Sequence, residues 1–264
     1  MSPYQYHAGR TPLLISMPHA GTFVPAGMLD GMTERARTVP DTDWHVDRLY
    51  DFAKGLGASL LVATHSRYVI DVNRPPDDRP LYPGAENSEL CPITLFDRSP
   101  VYIRGHEPDD MEIERRLETI WRPYHEQLSK GLRRAVSRYG VALLYEAHTI
   151  GSRVPRFFEG RLPDLNLGTV HGRSAAPELE ARLFGVCRSA RTYTSVLNGR
   201  FVGGYITRHY GCPRQKTHAV QLELSQATYM DEAPPFRFDE VRAEQIRAVL
   251  RALVEAMLGW GAKR

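Results

Sequence analysis

Cysteine is scarce. Cys91, Cys187 and Cys212 are scattered across 264 residues. That spacing makes neither a disulfide framework nor a paired-cysteine metal site, and it suits a reducing compartment. Long apolar runs are missing too. No stretch approaches the roughly 20 apolar residues that span a bilayer. The first ten residues are polar and lack the apolar core of a secretion signal. An excess of one charge is also lacking. Lys and Arg number 34 and Asp and Glu 31, a net +3, and the two signs are interleaved. A nucleic-acid binder would show a basic stripe instead. There is no GxSxG elbow, no P-loop and no GxGxxG after the first strand, so serine-nucleophile, nucleotide and dinucleotide chemistry have no support. The expectation is a cytoplasmic, soluble protein whose partner is a small molecule, with no nucleic acid and no membrane.

What is present is an ordinary globular composition, 42% hydrophobic and 25% charged, long enough for one large α/β domain over residues 1–264. The basic residues are mostly Arg. Arginine suits bidentate recognition of carboxylates, although a GC-rich genome gives the same bias.

Apolar runs alternate with amphipathic stretches. Leu13–Met17, Ala58–Thr64, Val141–Tyr145 and Ala219–Ser225 read as strands. Tyr68–Arg74 also reads as a strand, ended by Pro75 and Pro76. Helices are expected from the Pro40-Asp41-Thr42-Asp43 start to Phe52, over 109–139 with a kink or a new first turn at Pro123, over 174–191 capped by Ser174, and over 239–259. Residues 77–108 and 154–173 read as loops. Asn198-Gly199 predicts a hairpin within 196–211. Strands separated by helices predict an α/β sandwich with a mixed, largely parallel sheet.

Two of the ten histidines stand apart because each follows a core strand. His19 sits in Pro18-His19-Ala20-Gly21, and His148 in Glu146-Ala147-His148-Thr149. Read alone, each is equally a strand-end residue bonded to nearby backbone. With a carboxylate from Asp41 or Asp43 they form a common catalytic zinc set with one position open for water. A second carboxylate is then needed as general base. Glu223 is the candidate, and its alternative role is a strand carboxylate paired to an Arg. Asn73 and Arg74 at a strand end offer a carboxylate clamp; otherwise they are a turn cap and a surface Arg.

Six motifs then fall in order. They are Pro18-His19-Ala20-Gly21, Asp41-Thr42-Asp43-Trp44, Ser66 to Arg74, Glu146 to Thr149, Asp164 to Thr169 and Gln221 to Leu224. Together they resemble the N-formylglutamate amidohydrolase family over almost the whole chain, from about residue 10 to about residue 255. That family is distantly similar to zinc carboxypeptidases and to the aspartoacylase and succinylglutamate desuccinylase group. The resemblance implies a phosphorylase/hydrolase-like α/β/α sandwich. It implies Zn²⁺, or another divalent metal, on His19, Asp43 and His148, with Glu223 catalytic. Asp71-Val72-Asn73-Arg74 looks like the segment that binds the substrate carboxylate in the desuccinylase group. Carboxypeptidase relatives carry their zinc carboxylate three residues after the first histidine, where this chain has Thr22, so Asp43 takes the role and Asp41 is the fallback.

The implied reaction is metal-assisted hydrolysis of N-formyl-L-glutamate to formate and L-glutamate, the last step of a histidine-degradation route. Arg67 or Arg153 would stabilise the oxyanion. Arg74 first, and Arg208 second, would bind the carboxylates of this dicarboxylate substrate. The alternatives are a zinc amidohydrolase for another N-acyl amino acid or peptide, and an inactive ligand-binding protein on the same fold.

Overall fold

Apolar runs bounded by turn residues pair into one seven-stranded sheet. The computed structural model describes residues 1–263 apart from 83 and 85. Its strands are β1 (Tyr4–His7), β2 (Leu13–Met17), β3 (Ser59–Ala63), β4 (Ala142–Ile150), β5 (Leu165–Gly168), β6 (Ser195–Leu197) and β7 (Thr217–Ser225). They lie in the order β1-β3-β2-β4-β7-β5-β6. Neighbours from β3 to β7 are parallel. β1 runs antiparallel to β3, and β5 antiparallel to β7 with β6 parallel beside it. The sheet is mixed and largely parallel, as the sequence predicts.

The helices are α1 (Ala26–Leu29), α2 (Glu34–Arg37), α3 (Val46–Leu49), α4 (Asp110–Arg116), α5 (Arg122–Tyr139), α6 (Pro177–Ser189), α7 (Tyr205–Tyr210) and α8 (Glu240–Gly261). On one face of the sheet, Leu128 and Leu132 of α5 share a core with Leu14, Ala142, Leu144 and Ala219. On the other, Leu179 and Leu183 of α6 and Ile246, Leu250 and Leu253 of α8 share one with Ile15, Leu143, Val220 and Leu222. Covering both faces lets the central strands be apolar throughout, which is why they lack alternation at their starts. The result is a three-layer α/β/α architecture. No helix among the described residues is long and apolar enough to cross a membrane.

Several expectations are corrected. Tyr68–Arg74 is a turn, not a strand. Tyr68, Val69, Ile70 and Val72 are buried, and burial without alternation does not separate a strand from a packed turn. The carbonyls of this segment go to side chains of the long helix instead. Arg116 Nη1 donates to Val69 O at 2.9 Å, His125 Nε2 to Val72 O at 2.8 Å and Trp121 Nε1 to Arg74 O at 3.0 Å. These three residues share one face because Leu117–Trp121 widens into a π turn between α4 and α5. Pro123 lacks the N–H that Thr119 O would accept in an α-helix, so the expected kink takes this form.

The predicted hairpin at 196–211 is also absent. Asn198 adopts a left-handed φ of 50°, but its side-chain oxygen accepts the N–H groups of Thr169 at 2.9 Å and His171 at 3.2 Å. The chain then runs on into α7 rather than back along β6. Residues 165–168, expected as loop, form β5. The expected helix to Phe52 shrinks to α3, starting after His45 instead of at Asp41 or Asp43. Ser174 bonds Ala219 O rather than capping α6, which starts at Pro177. β4 continues through Ile150, so His148 lies within the strand instead of beyond it.

Candidate active site and metal centre

The carboxyl ends of the parallel strands are where α/β sheets build sites, and the candidate residues gather there. His19 occupies the turn after β2. Gly21 lets that turn press against the backbone at Thr64 and His65, where a Cβ would collide with their carbonyl groups. Asp43 arrives beside it because its N–H donates to His19 O at 3.0 Å. Freed from a helix cap, its carboxylate accepts the Thr149 N–H at 3.1 Å.

β4 and β7 supply the rest. In register, Glu146 lies opposite Gln221 and His148 opposite Glu223. Side chains two apart share a face, so these four form one patch. That face starts apolar, with Ala142, Leu144 and Ala219 in the core, and turns polar only at its carboxyl end.

His19, Asp43 and His148 bring ligand-type atoms within 4.8 Å of one another, and all three are buried. Asp43 Oδ2 is 3.1 Å from His148 Nδ1 and 3.8 Å from His19 Nδ1. Each ring turns its other nitrogen to a carboxylate. His19 Nε2 is 2.6 Å from Asp71 Oδ1, and His148 Nε2 is 2.9 Å from Glu146 Oε1. Metal-binding histidines are held in this way, with the far N–H on a carboxylate and the near nitrogen free for the ion. The charge also fits. Asp43, Asp71, Glu146 and Glu223 are all buried, and Arg67 is the buried arginine among them. Donor set and charge deficit both suit a divalent cation. Asp41 does not join the group: its carboxylate accepts Tyr68 Oη and Phe96 N–H instead.

Electrostatics follow from burial and neighbours. Burial, with Asp43 and Glu146 nearby, pushes the Glu223 carboxyl up to about 8 against the opposing pull of His148 and Arg67. Burial would also raise Asp71, but His19 and Arg67 outweigh it and hold that carboxyl well below its usual range. Burial tends to keep His148 neutral, yet Glu146 and Asp43 draw a positive charge onto it.

The amino end of α7 orients the second layer. Gly204 N–H donates to Gln221 Oε1 at 2.6 Å, Ile206 N–H to Asn73 Oδ1 at 2.9 Å, and Thr207 N–H and hydroxyl to Glu146 Oε2, the N–H at 3.1 Å. Gly204 is required there because a Cβ would overlap the Asn73 amide. Unpaired helix N–H groups thus fix three side chains around the centre. Asn73 Nδ2 lies 3.0 Å from His148 Nε2.

Above the centre is a cavity of about 70 Å³ lined by His19, Asp43, His148, Glu223, Gln221 and Asn73, and by Arg67, Arg74 and Arg200. A larger groove of about 780 Å³ lies between β1 and α8. It is lined by charges of both signs, and the metal-competent group found among the described residues lines the smaller cavity instead. Arg67 donates to Asp71 Oδ2 at 2.8 Å, and its Nε is buried without a partner. Arg74 donates to Ser88 O at 2.9 Å and Ser88 Oγ at 2.7 Å.

Two expected residues lie elsewhere. Arg153 is exposed and lines a neighbouring cleft with Asp41 and Glu232. Arg208 donates to Gly203 O at 2.8 Å and does not line the cavity. Arg200 takes that wall, and only the Asn198-Gly199 turn signal hinted that it belongs to a loop. Glu146 and Asp71 were legible as carboxylates near the motifs, but their partners were not. Asp71, within the segment expected to bind a substrate carboxylate, is fully buried behind His19.

Fold and site together define a three-layer α/β protein with a buried His/Asp/His group able to hold a divalent cation. The chain belongs to the N-formylglutamate amidohydrolase family, whose profile matches residues 11–230. N-formylglutamate deformylase of Pseudomonas putida is 54% identical over 259 residues, covering 98% of this chain and 97% of that protein. The Pseudomonas aeruginosa protein of the same name is also 54% identical over 259 residues. The crystal structure of N-formylglutamate amidohydrolase from Ralstonia eutropha JMP134 superposes with a TM-score of 0.82 at 26% identity, over 100% of this chain and 98% of that one. A protein from Agrobacterium tumefaciens, 18% identical with a TM-score of 0.73, shares the fold.

Proposed function

We propose that this chain hydrolyses N-formyl-L-glutamate to formate and L-glutamate, using a divalent metal, zinc in the first instance, held by His19, Asp43 and His148. The names of the relatives support the substrate. One observation carries the metal: both imidazoles turn Nδ1 toward Asp43 while Asp71 and Glu146 take Nε2. A bound divalent ion supplies Lewis-acid polarisation of the formyl oxygen and lowers the pKa of water.

The chain's own residues do the remainder. Glu223 accepts the proton of the attacking water and delivers it to the leaving amine as the C–N bond breaks. Arg67 is held by Asp71 and has an unpartnered Nε, a donor free to meet the oxyanion. Arg74, with Asn73 beside it, binds a substrate carboxylate; Ser88 fixes its guanidinium, and no carboxylate among the described residues pairs with it. We assign the reaction to the last step of histidine degradation in the cytoplasm, with the whole chain acting as one amidohydrolase domain.

The test is formate release from N-formyl-L-glutamate by the purified chain, alongside N-acetyl- and N-succinyl-L-glutamate. A clear preference for the formyl substrate is expected. A stronger preference for either other acyl group would overturn the assignment.

A further inference from the structure

The substrate proposed above carries two carboxylates, and the cavity wall holds two guanidinium groups that no carboxylate among the described residues pairs with. One is Arg74. The other is Arg200, which follows the Asn198-Gly199 turn and has no ion-pair partner among the described residues. Its surroundings are unusual for a bare cation. The guanidinium carbon lies 5.0 Å from the ring centre of Tyr82, 5.3 Å from that of Phe201 and 5.9 Å from that of Phe157. Its Nε donates to Phe157 O at 2.5 Å. The adjacent acid, Glu86, gives its carboxylate to Arg98 and Arg156 and offers Arg200 only a backbone oxygen at 3.5 Å. Ring faces hold a cation in place without cancelling its charge, so the site keeps a preset positive group facing the cavity.

We infer that Arg200 is a specificity-determining residue that reads the distal carboxylate of the substrate, an inference that rests on the proposed function. Arg74 adjoins Asn73, which touches His148, so it meets the carboxylate nearest the reacting amide. Arg200 touches no residue of the metal centre. It lies among Tyr82, Phe157 and Phe201, whose rings suit the two side-chain methylene groups between the α-carbon and the distal carboxylate. A substrate with an uncharged side chain would leave this cation desolvated and unpaired, which is how a built polar site rejects an analogue lacking its partner.

The test measures kcat/KM for N-formyl-L-glutamate, N-formyl-L-glutamine and N-formyl-L-ornithine. The intact chain should prefer the glutamate substrate over the glutamine one. In Arg200→Gln that preference should fall about 10- to 100-fold, mainly through KM, as for loss of a charge-assisted hydrogen bond. Arg200→Glu should prefer the ornithine substrate over the glutamate one, a gain that misfolding does not produce. Equal losses on all substrates, with the original preference kept, would overturn the assignment of Arg200 alone. Absence of formate release from every substrate by the intact chain would overturn the proposed function and this inference with it.

Discussion

The cavity has two walls of different construction. One is built by strands: His148 and Glu223 stand opposite each other on β4 and β7, and His19 caps β2. The other is built by loops: Arg67 and Arg74 from the turn after β3, Tyr82 and Ser88 from the long excursion, and Arg200 from the turn before α7. On the strand wall, position follows from register, since each side chain's face is fixed by its place in a pleat. On the loop wall, position follows from side chains that bind carbonyls, such as Arg116, Trp121 and His125 beneath residues 69–74. In the proposed reaction the strand wall supplies both histidines and Glu223, and the loop wall supplies the arginines, Arg67 toward the oxyanion and Arg74 and Arg200 toward the substrate carboxylates.

That reading predicts that changes at Glu223, at the metal ligands and at Arg67 act on turnover or metal binding, and changes at Arg74 and Arg200 on KM. The largest effect is expected for Glu223→Gln, which removes the proposed base. It should lower kcat about 10²- to 10⁴-fold, while zinc content, measured by elemental analysis, stays near that of the unaltered chain. Arg74→Gln should raise KM for N-formyl-L-glutamate about 10- to 100-fold with a smaller change in kcat, measured by steady-state formate release. A loss confined to kcat would break the comparison, because it would place Arg74 with Arg67 in the chemical step rather than on the substrate carboxylate. Glu146→Gln should weaken zinc affinity about 10-fold or more in a competitive chelator titration, since it withdraws the carboxylate behind His148.

The smallest effect on activity is expected from acid, acting on the support of the loop wall. Burial lowers the His125 imidazole to about 3 from an ordinary 6.5. The folded value lies below the unfolded one, so the unfolded chain binds the extra proton as pH falls. Stability from this group is full above about pH 6.5 and is lost progressively toward pH 3. At pH 5 the loss should be about 2 kcal/mol relative to pH 7, read as a shift in urea midpoint. Much of that shift should vanish in His125→Gln if this histidine is its source.

The same division explains how much the sequence revealed. The strand-wall residues were legible because a strand shows itself in an apolar run, and a histidine or glutamate at its carboxyl end is a break in that run. Asp43 was harder. It needed the backbone bond from its own N–H to His19 O, a tertiary contact that no local pattern encodes. The second layer was legible only in part. Glu146 lies two residues before His148, so their shared face follows from strand period, whereas Asp71 meets His19 across 52 positions of sequence. The arginines were the least legible. The sequence singled out Arg153 and Arg208 and passed over Arg200, because guanidinium reach is long and loop direction is set by contacts such as Asn198 with Thr169. The fold class was read from the alternation of strands and helices. The hairpin and the Tyr68–Arg74 strand were misread because a turn residue and an apolar run each have two packed outcomes.

The most direct test of the central claim combines metal content with formate release from N-formyl-L-glutamate, before chelation, after removal of the metal and after restoring zinc. The account predicts activity that disappears with the metal and returns as about one equivalent per chain is restored, as expected for a single three-ligand site. Full activity in protein shown to contain no metal would contradict it.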